Sequence, residues 1–131
     1  MRRSSIIICT VVMAKIFICD DDEGILDVTR IILEEKGYDV VATSDCTTLV
    51  KRAEKEQPNI ILLDLWMPNQ SGDEITRELK RNKLTQHIPV IILSANKDTK
   101  TIAPDAGADG FLCKPFDIDE LEKTVATYIR S

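Results

Sequence analysis

Five short apolar runs recur along this chain, and the segments between them have the periodicity of helices. The runs predict strands at residues 15–19, 39–43, 60–64, 90–93 and 110–113. The third and fourth runs contain the unbroken apolar segments IILL and VIIL, which are typical of strands covered on both faces. Strands that alternate with helices in this way predict an α/β fold with a mainly parallel sheet.

The segments between the strands carry helix signals of unequal strength. Gly37 ends the first helix, Ser44 is placed to cap the second, and Asp117 with Glu120 forms a capping box at the last. A helix between residues 94 and 107 must be short, because Pro104 removes a backbone donor and clashes with the preceding turn. The apolar stripe of the first helix consists of Ile25, Val28, Ile32 and Leu33.

Polar side chains follow these strands at their carboxyl ends. Because the carboxyl ends of parallel strands meet at one edge of an open sheet, where ligands bind, these side chains are expected to lie together. The sequence therefore predicts a single site that combines carboxylates, a hydroxyl and an amine. Its members are Asp20, Asp21 and Asp22 after the first strand, Asp64 at the end of the third, Ser94 after the fourth and Lys114 after the fifth.

Length and charge limit the domain count and the class of function. A chain of 131 residues suits one domain. The net charge of −5 argues against direct binding of nucleic acid, which needs a basic patch. The apolar stretch at residues 6–12 is shorter than the roughly 18 residues of a membrane span, so no membrane association is expected. We assign residues 1–13 to an N-terminal extension, either disordered or upstream of the working start, and residues 14–131 to the domain.

The four cysteines contain no metal-binding spacing. Cys9, Cys19, Cys46 and Cys113 form neither a CxxC pair nor a zinc pattern. Cys19 and Cys113 fall in apolar strands, where small buried thiols are expected. Free thiols fit a reducing compartment, and a cytoplasmic location is expected.

Four segments together resemble the response-regulator receiver family of two-component signalling. They are DDDEGI at residues 20–25, DLWMPNQSG at 64–72, SA at 94–95 and GADGFLCKPF at 107–116. The resemblance extends over about residues 14–130, with the motifs in the order of the family. It implies a flavodoxin-like, doubly wound, five-stranded parallel sheet of order 2-1-3-4-5 with five helices, the topology of chemotaxis receivers.

The resemblance implies a site for phosphorylation of a carboxylate. Asp64 matches the residue that accepts the phosphoryl group, and Asp20 and Asp21 match the acidic pair that holds Mg²⁺. The backbone carbonyl of Trp66 is implied as a further ligand. An oxygen-only, partly hydrated site suits Mg²⁺, and a metal that neutralises phosphoryl oxygens lets a carboxylate form an acyl phosphate. Asp22 is interpreted as part of a solvated acidic turn.

The remaining motif residues match the part of the family's site that responds to phosphorylation. Lys114 matches the lysine that pairs with the phosphoryl oxygens, a task that suits a mobile point charge. Ser94 matches the hydroxyl that turns inward, and Phe111 the aromatic that follows it, although an ordinary aromatic at the core edge explains Phe111 about equally well. Pro115 matches a cis proline. Gly72 is expected to supply the backbone freedom that starts the third helix.

The resulting hypothesis is a stand-alone receiver that acts as a signalling switch. Asp64 accepts phosphoryl from the phosphohistidine of a sensor histidine kinase or a phosphotransfer protein, and a downstream protein effector detects the change. The chain would catalyse only its own phosphorylation and dephosphorylation and turn over no external substrate. A monomer and a phosphorylation-dependent homodimer both remain open.

Three alternatives compete with this hypothesis. One is an interaction module with a receiver fold that is never phosphorylated. Another is a fragment of a larger response regulator. The third is a hydrolase with Asp64 as covalent nucleophile, which usually has an acid two residues further on, where this chain has Trp66.

Overall fold

The computed structural model describes residues 14–68, 70–95 and 104–129. All neighbouring strands pair in parallel, in the order β2-β1-β3-β4-β5. The predicted flavodoxin-like sheet is confirmed, and each strand lies where it was predicted, β4 being one residue longer. The strands are β1 Lys15–Cys19, β2 Asp39–Thr43, β3 Ile60–Asp64, β4 Val90–Ser94 and β5 Gly110–Cys113.

Besides the helical residues 104–106, four helices cover the sheet within the described residues: α1 Glu23–Glu35, α2 Leu49–Glu56, α3 Gly72–Arg81 and α4 Ile118–Ile129. The short helix predicted between residues 94 and 107 falls mainly on 96–103, outside the described residues. Residues 104–106 are helical, and the Gly107 N–H donates to the Pro104 carbonyl at 2.9 Å. The predicted extension at 1–13 is also outside the described part. Among residues 14–68, 70–95 and 104–129, no helix is long and apolar enough to cross a membrane.

The helices bury the two faces of the sheet separately. α2 and α3 pack on the face that carries Phe17 and Leu63, whereas α1 and α4 pack on the face that carries Ile18 and Leu62. This division follows from the alternation of side chains along a strand. Every residue of β3 and β4 is buried, as the unbroken apolar segments predicted.

The buried stripe of α1 differs from the predicted one. Its buried residues are Leu26, Thr29 and Leu33, three and four positions apart, which places them on one side of the helix. Val28 is 59% exposed, so the prediction that it faces the core is wrong. Thr29, which the predicted apolar stripe did not include, is buried instead.

The predicted cap of the second helix is also wrong, since Thr48 is the N-cap residue of α2. Ser44 lies instead in a turn that side chains stabilise. The Thr43 hydroxyl accepts from the Asp45 N–H at 3.0 Å, and the Asp45 carboxylate accepts from the Thr47 N–H at 3.1 Å. These local hydrogen bonds compete with helix formation and delay the start of α2.

The other predicted helix ends are confirmed. Gly37 follows α1 with φ of 94°, a left-handed conformation that glycine adopts without a steric penalty. Before α4, the Glu120 N–H donates to Asp117 Oδ1 at 2.7 Å and the Asp117 N–H donates to Glu120 Oε1 at 3.3 Å. This reciprocal pair is the predicted capping box.

Candidate functional site

The carboxyl ends of β1, β3 and β5 bring three of the predicted site residues together. Lys114 Nζ lies 2.6 Å from Asp20 Oδ2 and 3.4 Å from Asp64 Oδ1. Each of the three follows, by two positions, a buried residue of the α1 and α4 face, and alternation along a strand therefore directs them to the same side. Those buried residues are Ile18, Leu62 and Leu112.

Three carboxylates gather at this edge of the sheet. Asp20, Asp21 and Asp64 each place one oxygen within 4.8 Å of the others. Asp20 is fully buried and Asp64 is 5% exposed, whereas Asp21 is open to solvent. Carboxylates this close repel one another unless positive charge compensates them. The cluster therefore has the composition of a site for a hard divalent cation.

Asp22 has a separate, structural role. Its side chain accepts a hydrogen bond from the Ile25 N–H at 3.1 Å and caps the N-terminus of α1. Its own N–H donates to Asp20 Oδ1 at 2.9 Å. Asp20 and Asp21 of the acidic run thus belong to the carboxylate cluster, whereas Asp22 caps a helix. This role of Asp22 is more specific than the solvated turn expected from sequence.

The surroundings of Asp64 and Lys114 raise the pKa of both groups. Burial, and then the charge on Asp20, raise the pKa of Asp64 to about 7 against the opposing attraction of Lys114. Burial lowers the pKa of Lys114, but hydrogen bonding to Asp20 and the charges on Asp20 and Asp64 outweigh this effect, and the net pKa is raised. The site therefore holds a lysine cation beside a carboxyl that is easily protonated.

Ser94 is on β4, which lies between β3, the strand that ends in Asp64, and β5, the strand before Lys114. It is buried at the end of β4, where Asp64 is in register with Leu93 and Ser94 is in register with Cys113. The Lys114 N–H donates to the Ser94 carbonyl at 3.0 Å. The predicted hydroxyl thus stands at the same edge as the acidic cluster.

Phe111 lies further from this edge, within β5. It is in register with Ile92 and 38% exposed, and it lines an open groove of about 390 Å³ together with Pro104 and Tyr128. The side chain therefore occupies an outward position.

The loop after β3 packs closely against the end of that strand. A Cβ on Gly72 would lie 2.2 Å from the Asp64 carbonyl oxygen and 2.9 Å from the Leu65 Cα. Gly72 is not among the described glycines with positive φ, so the expectation of backbone freedom was wrong and close approach is the reason for glycine here.

Trp66, on the same loop, is 51% exposed. The predicted cis Lys114–Pro115 bond is confirmed.

Two predictions about the cysteines are wrong. Cys113 is exposed rather than buried. Cys19 is buried, but it is joined to Cys46 in a disulfide instead of being a free thiol. The pairing of β1 with β2 brings the two residues together, since Cys19 is in register with Thr43, three positions before Cys46. The apolar setting of Cys19 alone gave no sign of this contact.

Comparisons with known proteins identify one family. The model of the response regulator receiver domain matches residues 16–126. The alkaline phosphatase synthesis transcriptional regulatory protein PhoP of Bacillus subtilis (strain 168) is 35% identical over 118 residues, which are 88% of this chain and 48% of that protein. The DNA-binding dual master transcriptional regulator RpaA of Synechocystis sp. is 38% identical over 120 residues, 90% of this chain and 50% of that protein. The chain thus spans about half the length of the curated relatives it matches.

A solved structure links this fold to a metal. The receiver domain of a sensor histidine kinase from Pseudomonas aeruginosa PAO1, solved with magnesium coordinated in its active-site cleft, has a TM-score of 0.84 and 28% sequence identity to this chain. The alignment covers 91% of this chain and 99% of that one.

Proposed function

The chain belongs to the response-regulator receiver family of two-component signalling, and from this premise we propose that it is a Mg²⁺-dependent phosphorylation switch with Asp64 as the acceptor. Receiver domains of this family are signalling switches that accept phosphoryl groups. The observation that supports Asp64 here is its position, because it belongs to a cluster of three carboxylates and contacts Lys114. A solvated acidic turn would bring together neither the lysine nor the acid from β3.

The oxygen donors at this site fit Mg²⁺. Asp20, Asp21 and Asp64 supply the hard oxygen ligands that this ion prefers, and we assign the Trp66 carbonyl as a fourth ligand. Burial and the charge on Asp20 raise the pKa of Asp64, and the positive charge of a dication would oppose this rise more strongly than Lys114 alone does. The magnesium in the related Pseudomonas receiver supports the choice of ion. When bound, Mg²⁺ supplies neutralisation of phosphoryl oxygen charge.

The phosphoryl donor in this proposal is the phosphohistidine of a sensor kinase or phosphotransfer protein. An oxygen of ionised Asp64 attacks phosphorus with an electron pair, and the new P–O bond forms as the P–N bond breaks. The imidazole leaves with the electron pair of that bond. Lys114, already 3.4 Å from Asp64, is placed to pair with the transferred phosphoryl oxygens, and the Ser94 hydroxyl is placed to hydrogen-bond them.

The output in this proposal passes from Ser94 to Phe111. Inward movement of the Ser94 side chain would vacate space into which Phe111 turns from its exposed position, and the surface of β5 would change. A downstream protein effector would then bind the domain in one of the two side-chain arrangements of Ser94 and Phe111. The switch acts in the cytoplasm, without direct contact to nucleic acid or membrane, and turns over no external substrate.

A second candidate is the receiver segment of a longer regulator. The half-length coverage of PhoP and RpaA, both named as transcriptional regulators, favours it over the stand-alone form. The mass of the native protein in its host, detected with an antibody against this domain, distinguishes the two.

Intact-mass measurement after incubation with acetyl phosphate tests the acceptor. We expect one phosphoryl adduct in the presence of Mg²⁺ and none in chelator or in Asp64→Asn. An adduct that persists in Asp64→Asn, or that forms equally well without metal, contradicts the assignment.

Asp21→Asn and Asp22→Asn form a matched pair for the metal ligands. Each removes one charge from the acidic run, but Asn at position 22 keeps the helix cap, since Asn is as good an N-cap as Asp. We expect Asp21→Asn to weaken Mg²⁺ binding, followed by Trp66 fluorescence, by about tenfold or more, and Asp22→Asn to weaken it little. Equal losses in both variants would mean that the ligands are wrongly assigned along the run.

A further inference from the structure

Cys19 and Cys46 form a covalent contact between β1 and the turn after β2. Their Cα atoms are 6.0 Å apart, inside the usual range of about 4.4–6.8 Å for a disulfide. Cys19 is the last residue of β1 and is fully buried, and Cys46 is 8% exposed. The chain thus carries a preorganised thiol pair that the phosphorylation chemistry does not use.

The backbone around Cys46 is built to hold it over the end of β1. Besides the Thr43–Asp45 contacts, the Thr47 hydroxyl donates to Asp45 Oδ1 at 2.7 Å and the Leu49 N–H donates to the Cys46 carbonyl at 3.2 Å. The turn therefore has its own hydrogen bonds, which do not depend on the disulfide.

The pair lies at the ends of β1 and β2, next to the acidic strand ends of the proposed phosphorylation site. Cys19 directly precedes Asp20 in the chain, and Cys46 Sγ lies 3.3 Å from Met67 Sδ on the loop after β3. The space between this loop and the turn after β2 is only about 30 Å³. Cys46 is therefore in direct contact with the loop that follows Asp64.

We propose that Cys19 and Cys46 are a reversible redox modification site that exchanges with a low-molecular-weight disulfide of the glutathione type. The sulfur of Cys46, the more accessible of the two, attacks the small disulfide, forms a mixed disulfide and releases one small thiol. The sulfur of Cys19 then attacks Cys46 Sγ and releases the second small thiol. The protein loses two electrons and two protons, which appear in the two released thiols. Cytosolic disulfides are typically transient and redox-sensing, so the pair agrees with a cytoplasmic receiver.

The redox state has a mechanical consequence for the phosphorylation site. Reduced sulfurs must separate to van der Waals distance, and because Cys19 is fixed in the sheet, the turn carrying Cys46 moves. That movement presses on Met67 and loosens the packing of the loop after β3. The disulfide form should therefore bind Mg²⁺ more tightly than the dithiol form; this part of the inference rests on the proposed function.

Thiol trapping tests the pair itself. The full chain is equilibrated with glutathione disulfide or with excess reduced glutathione, quenched in acid, alkylated in denaturant and mapped by peptide mass. We expect Cys19 and Cys46 to be linked to each other after oxidation and labelled after reduction, whereas Cys113 carries at most one glutathione after oxidation and is labelled after reduction. Labelling of Cys19 and Cys46 in both states, or a disulfide of either residue with Cys113 or Cys9, overturns the pair.

Magnesium titration by Trp66 fluorescence tests the coupling. We expect the affinity of the wild-type chain to fall by about fivefold or more on reduction, the low end of ordinary coupling between sites. Cys46→Ser should lose this redox response, and Cys113→Ser should keep it. Equal affinity of the oxidised and reduced wild-type chain overturns the coupling. Thiol mapping of Asp64→Asn separates the two proposals, because the pair must form there although phosphorylation cannot.

Discussion

In the proposed function, Asp64 must carry a negative charge to attack phosphorus, yet it is almost fully buried beside another buried carboxylate. Burial and the charge on Asp20 both favour its protonated form, and Lys114 only partly offsets them. The metal-free site is therefore strained at neutral pH, and a dication relieves that strain. A single side chain thus links proton, metal and phosphoryl binding.

The raised pKa predicts how the stability of the metal-free protein depends on pH. Because the pKa of Asp64 is about 7 when folded and about 4 when unfolded, the folded state binds the proton more tightly. The free energy of unfolding should therefore rise, on the order of 2 kcal/mol, as pH falls from about 8 to about 5.5. Urea unfolding at each pH measures this.

Asp64→Asn keeps every other titrating group of the wild-type chain, so it is the control for this pH dependence of stability. The variant should lack most of the rise in the free energy of unfolding at low pH. Saturating Mg²⁺ should suppress the same rise in the wild-type chain. Parallel pH profiles for the two metal-free proteins would contradict the assignment of the shift to Asp64.

At the scale of elements, the loop between β3 and α3 packs on the backbone of Asp64, the proposed acceptor. The Gly72 N–H donates to the Leu65 carbonyl at 2.8 Å, and the Thr76 hydroxyl donates to the Gly72 carbonyl at 2.7 Å. Ser71 and Glu74 add a capping box at the start of α3. These contacts fold the start of α3 directly onto the backbone of Asp64, which leaves no room for a side chain at position 72.

Gly72→Ala should therefore destabilise the domain and displace the acceptor. The added Cβ would meet backbone atoms that cannot rotate away, and overpacking of this kind costs about 1–3 kcal/mol. Urea unfolding measures the loss, and the rate of phosphorylation by acetyl phosphate should fall as well.

Gly24→Ala is the matched control for this substitution. Its Cβ would lie 3.3 Å from Asp22 Oδ1, an atom of a side chain that can adjust, and its position within α1 favours alanine. The variant should be neutral or slightly more stable. If both substitutions cost the same, close packing at position 72 does not position the acceptor.

At the scale of the whole molecule, the site and the proposed output surface lie on different parts of the fold. The acidic cluster stands at the carboxyl edge of the sheet, whereas Phe111 opens onto the groove that Tyr128 of α4 also lines. A signal must therefore cross β4 and β5, whose register connects Ser94 with Cys113 and Ile92 with Phe111.

Amide exchange with and without beryllofluoride, a mimic of the acyl phosphate, tests this route. We expect stronger protection at residues 104–116 in the mimic-bound protein, because Phe111 packs inward. Phe111→Ala should reduce that change and still accept phosphoryl at Asp64. Protection that rises only at the acidic loops would place the output on another surface.

The sequence by itself determined the sheet and the membership of the site. Apolar runs, their lengths and the polar residues that end them are local properties, and parallel pairing then forces Asp20, Asp64 and Lys114 to one edge. The same local logic predicted the capping box at Asp117. Local patterns were enough for these features because strand ends and helix caps depend on residues a few positions apart, and parallel pairing then brings the strand ends together.

Only the tertiary structure decided the features that depend on distant atoms. The buried side of α1, the close approach of Gly72 to Asp64 and the contact of Cys19 with Cys46 follow from how packed elements meet. The pKa of Asp64 likewise depends on burial and on an acid from another strand. The sequence pattern contains the periodicity and the order of residues. It does not contain the distances between packed atoms or the exclusion of water, on which these features depend.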